Sequence, residues 1–371
     1  GSAVDNEDEG QPSANADGDD IGGGPAPSQP TTAGTGVFDD EDGVTFGTIV
    51  AGQMATITVD VQTQVSGSVF SAGVSKQGVT GPVLDAWIDW NQDGVWDNST
   101  ERIVNLPVTP GQSPMLMFPV PEDAVEGETY ARFRVSSAGA LDPTGTVMTG
   151  EVEDYKVNVI VPGTRISLRS NNPGASVGPG PTSSLLIEDV VSGGKNDTIT
   201  IQSDVANSRY IISDPNNALE IQGILSASLV DLNTAHVPWS VVDANVIYVE
   251  TAGGDDALMI DFGLGDFPDD IVYEGGGNSP AGDSMSLSGG GTFATAEFAY
   301  TDASSGSVAL PGNGLVLYSE LEPIDSTISA TDVTLNYSGA SEMITITPGA
   351  AGTTTVDSSE GASTAFNDPI G

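Results

Sequence analysis

Glycine or proline interrupts this chain every few residues, and that punctuation limits the possible folds more than any other feature. The 47 Gly and 23 Pro among 371 residues leave few uninterrupted stretches. A helix needs apolar residues three and four apart over ten or more positions without such breaks. What remains between the breaks are short runs of Val, Ile, Thr and aromatics: Met54–Val61, Leu84–Trp90, Tyr130–Val135 and Tyr155–Val161. Each alternates with a period close to two, the period of a strand with one buried face. The expected class is all-β.

Charge narrows the setting. Nine Lys+Arg stand against 52 Asp+Glu, a net charge of −43. Such a surface repels nucleic acid and anionic membranes, both of which need basic patches. It suits bound divalent cations or a high-salt medium, or a secreted chain kept soluble by its charge. With no Cys, disulfides and thiol chemistry are excluded, and metal ions become the natural staples. A single histidine, His236, in Thr234–Trp239, argues against His-based zinc sites and against a Ser-His-Asp hydrolase. No run of about 18 apolar residues suggests a transmembrane helix. Gly1-Ser2 reads as an engineered scar or a processed end, so any secretion signal is expected to have been removed already.

The expected organisation is residues 1–162 as a calcium-binding β-sandwich with an acidic N-terminal segment, 163–181 as a linker or long loop, and 182–371 as a repetitive β-domain. In the last part a small-residue turn, a carboxylate and an alternating strand recur. The copies run from Gly193 through Asp197 to Ile201, from Gly253 through Asp256 to Ile260, from Gly282 through Asp283 to Leu287, and from Gly339 through Glu342 to Ile346. This pattern favours a parallel β-helix, with a second sandwich as the alternative. Its carboxylates read as turn residues first and ligands second. The final stretch, Thr364–Gly371, reads as an interrupted strand-turn, so a fragment or processed subunit is expected.

One loop carries chemistry. Asp89, Asn91, Asp93 and Asp97 occupy positions 1, 3, 5 and 9 of a calcium loop, with Gly94 at 6 for the turn and the Val95 carbonyl at 7. Carboxylates ~4 Å apart repel by roughly 4 kcal/mol at an effective dielectric of ~20, and a divalent cation reverses that sign. Position 12, where a bidentate Glu is usual, holds Thr100, and Glu101 follows it. Either the loop is one residue longer or another segment supplies the last carboxylate. A strand precedes the loop, so the setting is a β-scaffold rather than a pair of helices. Glu151, Glu153 and Asp154 open a later strand; Glu153 and Asp154 are further candidate ligands, with salt bridges to Arg132 and Arg134 as the other reading. Asp19, Asp20, Asp40 and Asp42 form a second, less specific ligand set.

Gly150–Tyr155 (Gly-Glu-Val-Glu-Asp-Tyr), together with Leu84–Val95 and Tyr130–Ser137, resembles the GEVED domain, a β-sandwich module of large secreted or surface proteins in planctomycetes and other bacteria. Asp8–Asp20 and Asp39–Phe46 are further marks of it, so the resemblance spans residues 4–160. It implies that the acidic N-terminal segment belongs to the domain, and it implies no catalytic activity. The Thr100-Glu101 register departs from the usual pattern. Residues 165–371 resemble, less specifically, the Gly-Gly-x-Asp-rich repeat regions of long surface proteins, although the copies are too sparse for a calcium-binding nonapeptide roll.

The expected function is a non-enzymatic, Ca2+-stabilised structural or adhesive module, extracellular or on the cell surface. Its partners would be other surface or matrix components or copies of itself. Assembly into a fibre, tube or surface layer is one alternative. Glycan binding through Trp87, Trp90, Trp96 or Trp239, or glycoside chemistry at Asp266, Asp269 and Asp270, is another.

Overall fold

The computed structural model describes residues 43–61, 81–137, 141–145, 151–170, 183–190, 195–278, 282–321, 323–337, 343–350, 352–359 and 361–370. Among them the regular elements are β-strands and two 3-10 turns, Trp239–Val241 and Phe262–Leu264. No helix among the described residues is long and apolar enough to cross a membrane. The chain divides into two compact units between Val161 and Pro162.

The first unit contains β1 (Val44–Phe46), β2 (Ile49–Val50), β3 (Met54–Val59), β4 (Val83–Ile88), β5 (Arg102–Pro107), β6 (Met115–Pro119), β7 (Gly127–Ser136) and β8 (Glu151–Ile160). They form a three-stranded sheet, β1-β3-β6, and a five-stranded sheet, β2-β8-β7-β4-β5. One core draws on both. Ala55, Ile57, Val59 and Phe118 come from the first sheet, and Leu84, Ala86, Ile88, Ala131, Phe133, Val157 and Val159 from the second. Each large member contributes about 1.5–3 kcal/mol by leaving water. The alternating runs predicted from sequence are the strands β3, β4, β7 and β8.

Every residue of β4 is buried, which period-two alternation alone does not explain. Leu84, Ala86 and Ile88 enter the core, while Asp85 and Trp87 point to the opposite face of the sheet, which is also covered. There Asp85 opposes Arg134 and Trp87 opposes Arg132 across the β4–β7 ladder. Leu141 N–H donates to Asp85 Oδ2 at 2.9 Å, and Arg134 donates to the carbonyls of Asp142 and Gly145, each at 2.6 Å. Loop backbone thus roofs a layer of buried polar groups.

In the second unit the chain alternates between two sheets. Ser183–Asp189, Val246–Glu250, Asp270–Glu274 and Val316–Ser319 are successive parallel neighbours in one. Thr198–Asp204, Ala257–Asp261, Ser284–Ser288, Ile324–Ser326 and Gly361–Asn367 are parallel neighbours in the other. Registers align like residues in columns. Leu185, Ile247, Ile271 and Val316 stack in one sheet, and Ile199, Leu258, Met285 and Ile324 in the other. All belong to a single buried core. Three turn–carboxylate–strand copies, those of Asp197, Asp256 and Asp283, therefore lie side by side. The fourth departs: Ile344–Pro348 pairs antiparallel with Thr353–Ser358, and Glu342 lies outside the described residues.

The stretch read as a linker or long loop holds a strand at its start. Thr164–Ser170 runs antiparallel to Ser183–Asp189, with Ile166 opposite Ile187 and Leu168 opposite Leu185. Its alternation is masked in the sequence by the Gly- and Pro-rich residues that follow.

Gly276 sits where the chain turns a corner, at φ +87°, and a Cβ there would lie 2.3 Å from the Ala252 carbonyl oxygen. Gly223 has a similar φ of +75° but open space around it. Gly276→Ala should therefore destabilise the second unit by about 3 kcal/mol, combining left-handed strain with a clash. Gly223→Ala should show only the strain, ~1–2 kcal/mol. Urea unfolding midpoints of the two variants check this ordering.

Candidate metal centre

The loop Asp89–Glu101 leaves β4 and returns to β5, anchored at both ends by backbone. Asp89 N–H donates to the Tyr130 carbonyl at 3.0 Å, and Ile88 N–H to the Glu101 carbonyl at 3.0 Å. Inside it, Asp89 accepts from the N–H of Asp93 through Oδ1 at 3.2 Å and from that of Gly94 through Oδ2 at 3.0 Å. Asn91 Oδ1 accepts from Asp93 N–H at 3.0 Å, and Asp93 Oδ1 from Val95 N–H at 2.8 Å. Two left-handed residues, Gln92 at φ 55° and Gly94 at φ 74°, turn the chain. Glycine at the second is what the loop spacing requires.

Two aromatic contacts seat the loop on the polar face of the sheet. Trp87 Nε1 donates to Asn98 Oδ1 at 2.9 Å. The Arg132 guanidinium lies 5.5 Å from the centroid of Trp96. Asn98 reaches on to Asp142 Oδ1 at 2.6 Å, joining this loop to the one that roofs Asp85.

Oxygens of Asp89, Asp93 and Glu101 all lie within 4.8 Å of one another, close enough to share one ion. Asp89 and Glu101 are each 1 % exposed. Glu101 Oε2 accepts from Asp97 N–H at 2.7 Å, whereas Oε1 is buried with no hydrogen-bond partner. Burial pushes the Glu101 carboxyl up to about 7, reinforced by the charges of Asp89, Asp93 and Asp97 and partly offset by the Asp97 N–H. Asp89 is raised too, chiefly by burial.

Of the sequence-predicted ligands, the structure brings the carboxylates of Asp89, Asp93 and Glu101 together, Glu101 following Thr100 by one residue. Asn91 hydrogen-bonds within the loop. Val95 turns an exposed side chain to solvent, so only its backbone can serve an ion. Asp97 Oδ1 is engaged by Ser99 N–H at 2.6 Å, Ser99 Oγ at 2.5 Å and Thr100 N–H at 3.3 Å, holding the turn that delivers Glu101. Asp154 forms a two-pronged pair with Arg132 at 2.7 and 2.6 Å, the salt-bridge reading of that motif. Glu153 accepts from the Tyr155 hydroxyl at 2.6 Å. Asp19, Asp20, Asp40 and Asp42 lie outside the described residues.

Other sequence candidates have structural occupations. Trp87, Trp90 and Trp96 are buried, which removes them as sugar platforms. Asp269 accepts from the buried Tyr210 hydroxyl at 2.6 Å, and Asp270 Oδ1 from Leu315 N–H at 2.7 Å. His236 Nδ1 lies 2.9 Å from the Arg209 guanidinium, and burial followed by that charge lowers its pKa. Sequence reasoning missed Asp85 and Asn98 as anchors of the site. A carboxylate in the middle of the apolar run Val83–Ile88 was the available signal for Asp85.

Residues 83–158 match the sequence model of the GEVED domain family. The first unit carries a GEVED domain. That match spans both the loop and the Arg132–Asp154 pair. No curated protein and no solved structure was found to match the chain.

Arg132 is fully buried against Asp154 in this GEVED domain. Arg132→Met should take the guanidinium away from a buried carboxylate and cost about 3–5 kcal/mol, measured by urea denaturation of the wild type and the variant.

Proposed function

We propose that the chain is a non-enzymatic, calcium-stabilised structural or adhesive module of an extracellular bacterial surface or matrix protein. In this reading the first unit is a calcium-stapled β-sandwich. The second is a parallel β-helix, a reading supported by the alternation of its parallel strands between two sheets. The partners are other surface or matrix components.

The observation that carries the reading is the unpartnered, buried Glu101 Oε1 facing Asp89 and Asp93. Without a cation, three carboxylates would face each other in a site where two are almost fully buried, and burial makes such charge costly. A bound Ca2+ would supply the missing positive charge and accept oxygens from Asp89, Asp93 and Glu101. Asn91 and the Val95 carbonyl are the further oxygen donors in the loop. An oxygen-only donor set suits a hard cation and excludes the nitrogen and sulfur ligation of zinc sites. The loop sits at the end of a strand, so filling it holds β4 and β5 together rather than moving helices. That is the role of a staple, and dissociation constants of about 10⁻⁴–10⁻³ M are typical of extracellular modules.

A second reading, self-assembly through sheet edges, is favoured by one observation. Among the described residues Ile344–Pro348 is the outermost strand of a ten-stranded sheet, and every residue in it is exposed, including Ile346 at 67 %. An unpaired edge with apolar side chains is a template for another strand. Light scattering across a concentration series in calcium separates the two readings, since a strictly monomeric chain removes the second.

Calorimetric titration of the chelated protein with calcium should give binding at the loop and a rise in melting temperature. Glu101→Gln should weaken that binding by roughly tenfold or more, because affinity follows ligand charge. Asp97→Asn should weaken it less. Equal affinities for wild type and Glu101→Gln would remove the calcium reading.

A further inference from the structure

The corner of the second unit collects carboxylates that the calcium reading does not use. Asp197, Asp256 and Asp283 precede three parallel neighbouring strands, and each is 1 % exposed or less. They are linked in series. Asp197 N–H donates to Asp256 Oδ1 at 2.8 Å, and Asp256 N–H to Asp283 Oδ1 at 2.9 Å. Their Oδ2 atoms are all buried and receive no hydrogen from any described donor.

Asp197 ends the series against a fourth buried carboxylate, Asp214, which follows the strand Arg209–Ser213. Asn217 Nδ2 donates to both, to Asp197 Oδ1 at 2.6 Å and to Asp214 Oδ2 at 3.1 Å. Thr164 Oγ1 spans the same two oxygens at 3.4 and 2.9 Å. Asp214 Oδ1 accepts three backbone N–H groups, from Thr198 at 3.3 Å, Asn216 at 2.9 Å and Asn217 at 3.2 Å, a set that satisfies a carboxylate. Asp197 has no such set on its second oxygen.

Two adjacent buried carboxylates need a cation or a proton between them. Geometry decides against a cation shared by three of these groups. The one described set of three acidic side chains close enough to share an ion is in the Asp89 loop. The charges acting most strongly on Asp197 come from every side of the corner: Asp214, Asp189 at the end of Ser183–Asp189, and Asp256 across the ladder. All are negative.

We propose that Asp197 is held as a neutral carboxylic acid that donates its proton to the Asp214 carboxylate, making the corner of the second unit a proton-binding site that locks the ladder in acid and loosens it in alkali. The inference is independent of the calcium reading, since it concerns the other unit and a different ligand. Burial first, then the hydrogen bond and charge of Asp214, push the Asp197 carboxyl up to about 8. Asp256 is pushed up to about 6, mainly by burial, and Asp283 is raised for the same reason. The sign follows from linkage. A folded-state pKa above the unfolded value of ~3.9 gives stability that is fully present below pH ~4 and is lost as pH rises through about 8. Within that window, one proton changes the unfolding constant about tenfold per pH unit.

Two measurements on the full chain test this. The first is the carboxyl-carbon NMR titration of aspartate-labelled protein, assigned by the loss of one resonance in Asp197→Asn. The Asp197 carbon is expected to titrate far above the ordinary carboxylate range, and a midpoint near pH 4 overturns the proposal. The second is pulse proteolysis in urea at pH 6 and pH 9, with mass spectrometry following residues 162–371. Wild type is expected to lose at least tenfold in the folded-to-unfolded ratio of this unit between the two pH values. Asp197→Asn keeps a neutral donor at the position and should lose at least tenfold less. If that variant and wild type share one pH profile, the proposal fails. Running both arms with chelator and with added calcium keeps the outcome separate from the metal centre of the first unit.

Discussion

Buried negative charge must be answered by something positive, and in this protein positive side chains are scarce. Nine basic residues serve 52 acidic ones. One guanidinium answers a buried carboxylate directly: Arg132 grips Asp154 with two nitrogens and also faces Trp96. Such forked pairs satisfy both carboxylate oxygens at once. Elsewhere the backbone takes the part of the cation. Asp89 accepts two loop N–H groups, Asp214 accepts three, and Asp256 and Asp283 each accept one from the neighbouring rung. Glu101 Oε1 and the Oδ2 atoms of Asp197, Asp256 and Asp283 are among the oxygens left over after this allocation; Glu101 and Asp197 are the two that sit against the most neighbouring negative charge.

The same allocation explains how much was legible beforehand. Strand positions in the first unit were readable because the residues alternate in kind, apolar and polar; β3 also alternates in burial, whereas β4 and the middle of β7 are buried on both faces. The acidic cluster of the loop was readable because Asp89, Asp93 and Glu101 are close in sequence. The turn–carboxylate–strand copies were visible as text. Their meaning as neighbours was not, because Asp197 and Asp256 are 59 residues apart and only pairing brings them together. The Gly-Glu-Val-Glu-Asp-Tyr motif left ion pair and metal ligand both open. The Asp154–Arg132 pair depends on register between β7 and β8, which places the two residues directly opposite. Thr164–Ser170 was hidden by the composition that follows it. Trp90 belongs to the core of the first unit, beside Phe118, whereas the burial of Trp87 was not legible, because the second face of the β4 sheet is covered by loops that carry no periodic signal.

The parallel ladder of the second unit has a further property. Its rungs are joined by very different lengths of chain: 59 residues separate Asp197 from Asp256, and 27 separate Asp256 from Asp283. The hydrogen bonds at the two steps are nonetheless alike, at 2.8 and 2.9 Å. The longer interval holds the antiparallel strands Arg209–Ser213 and Thr234–Pro238, which extend the sheet outward from Thr198–Asp204. A doubling of loop length costs only about 0.6 kcal/mol in closure entropy. The scaffold thus counts rungs and not residues. Segments between rungs can be lengthened, shortened or exchanged while the stack stays in register, which makes this unit a frame on which surface loops can diversify without renegotiating the core.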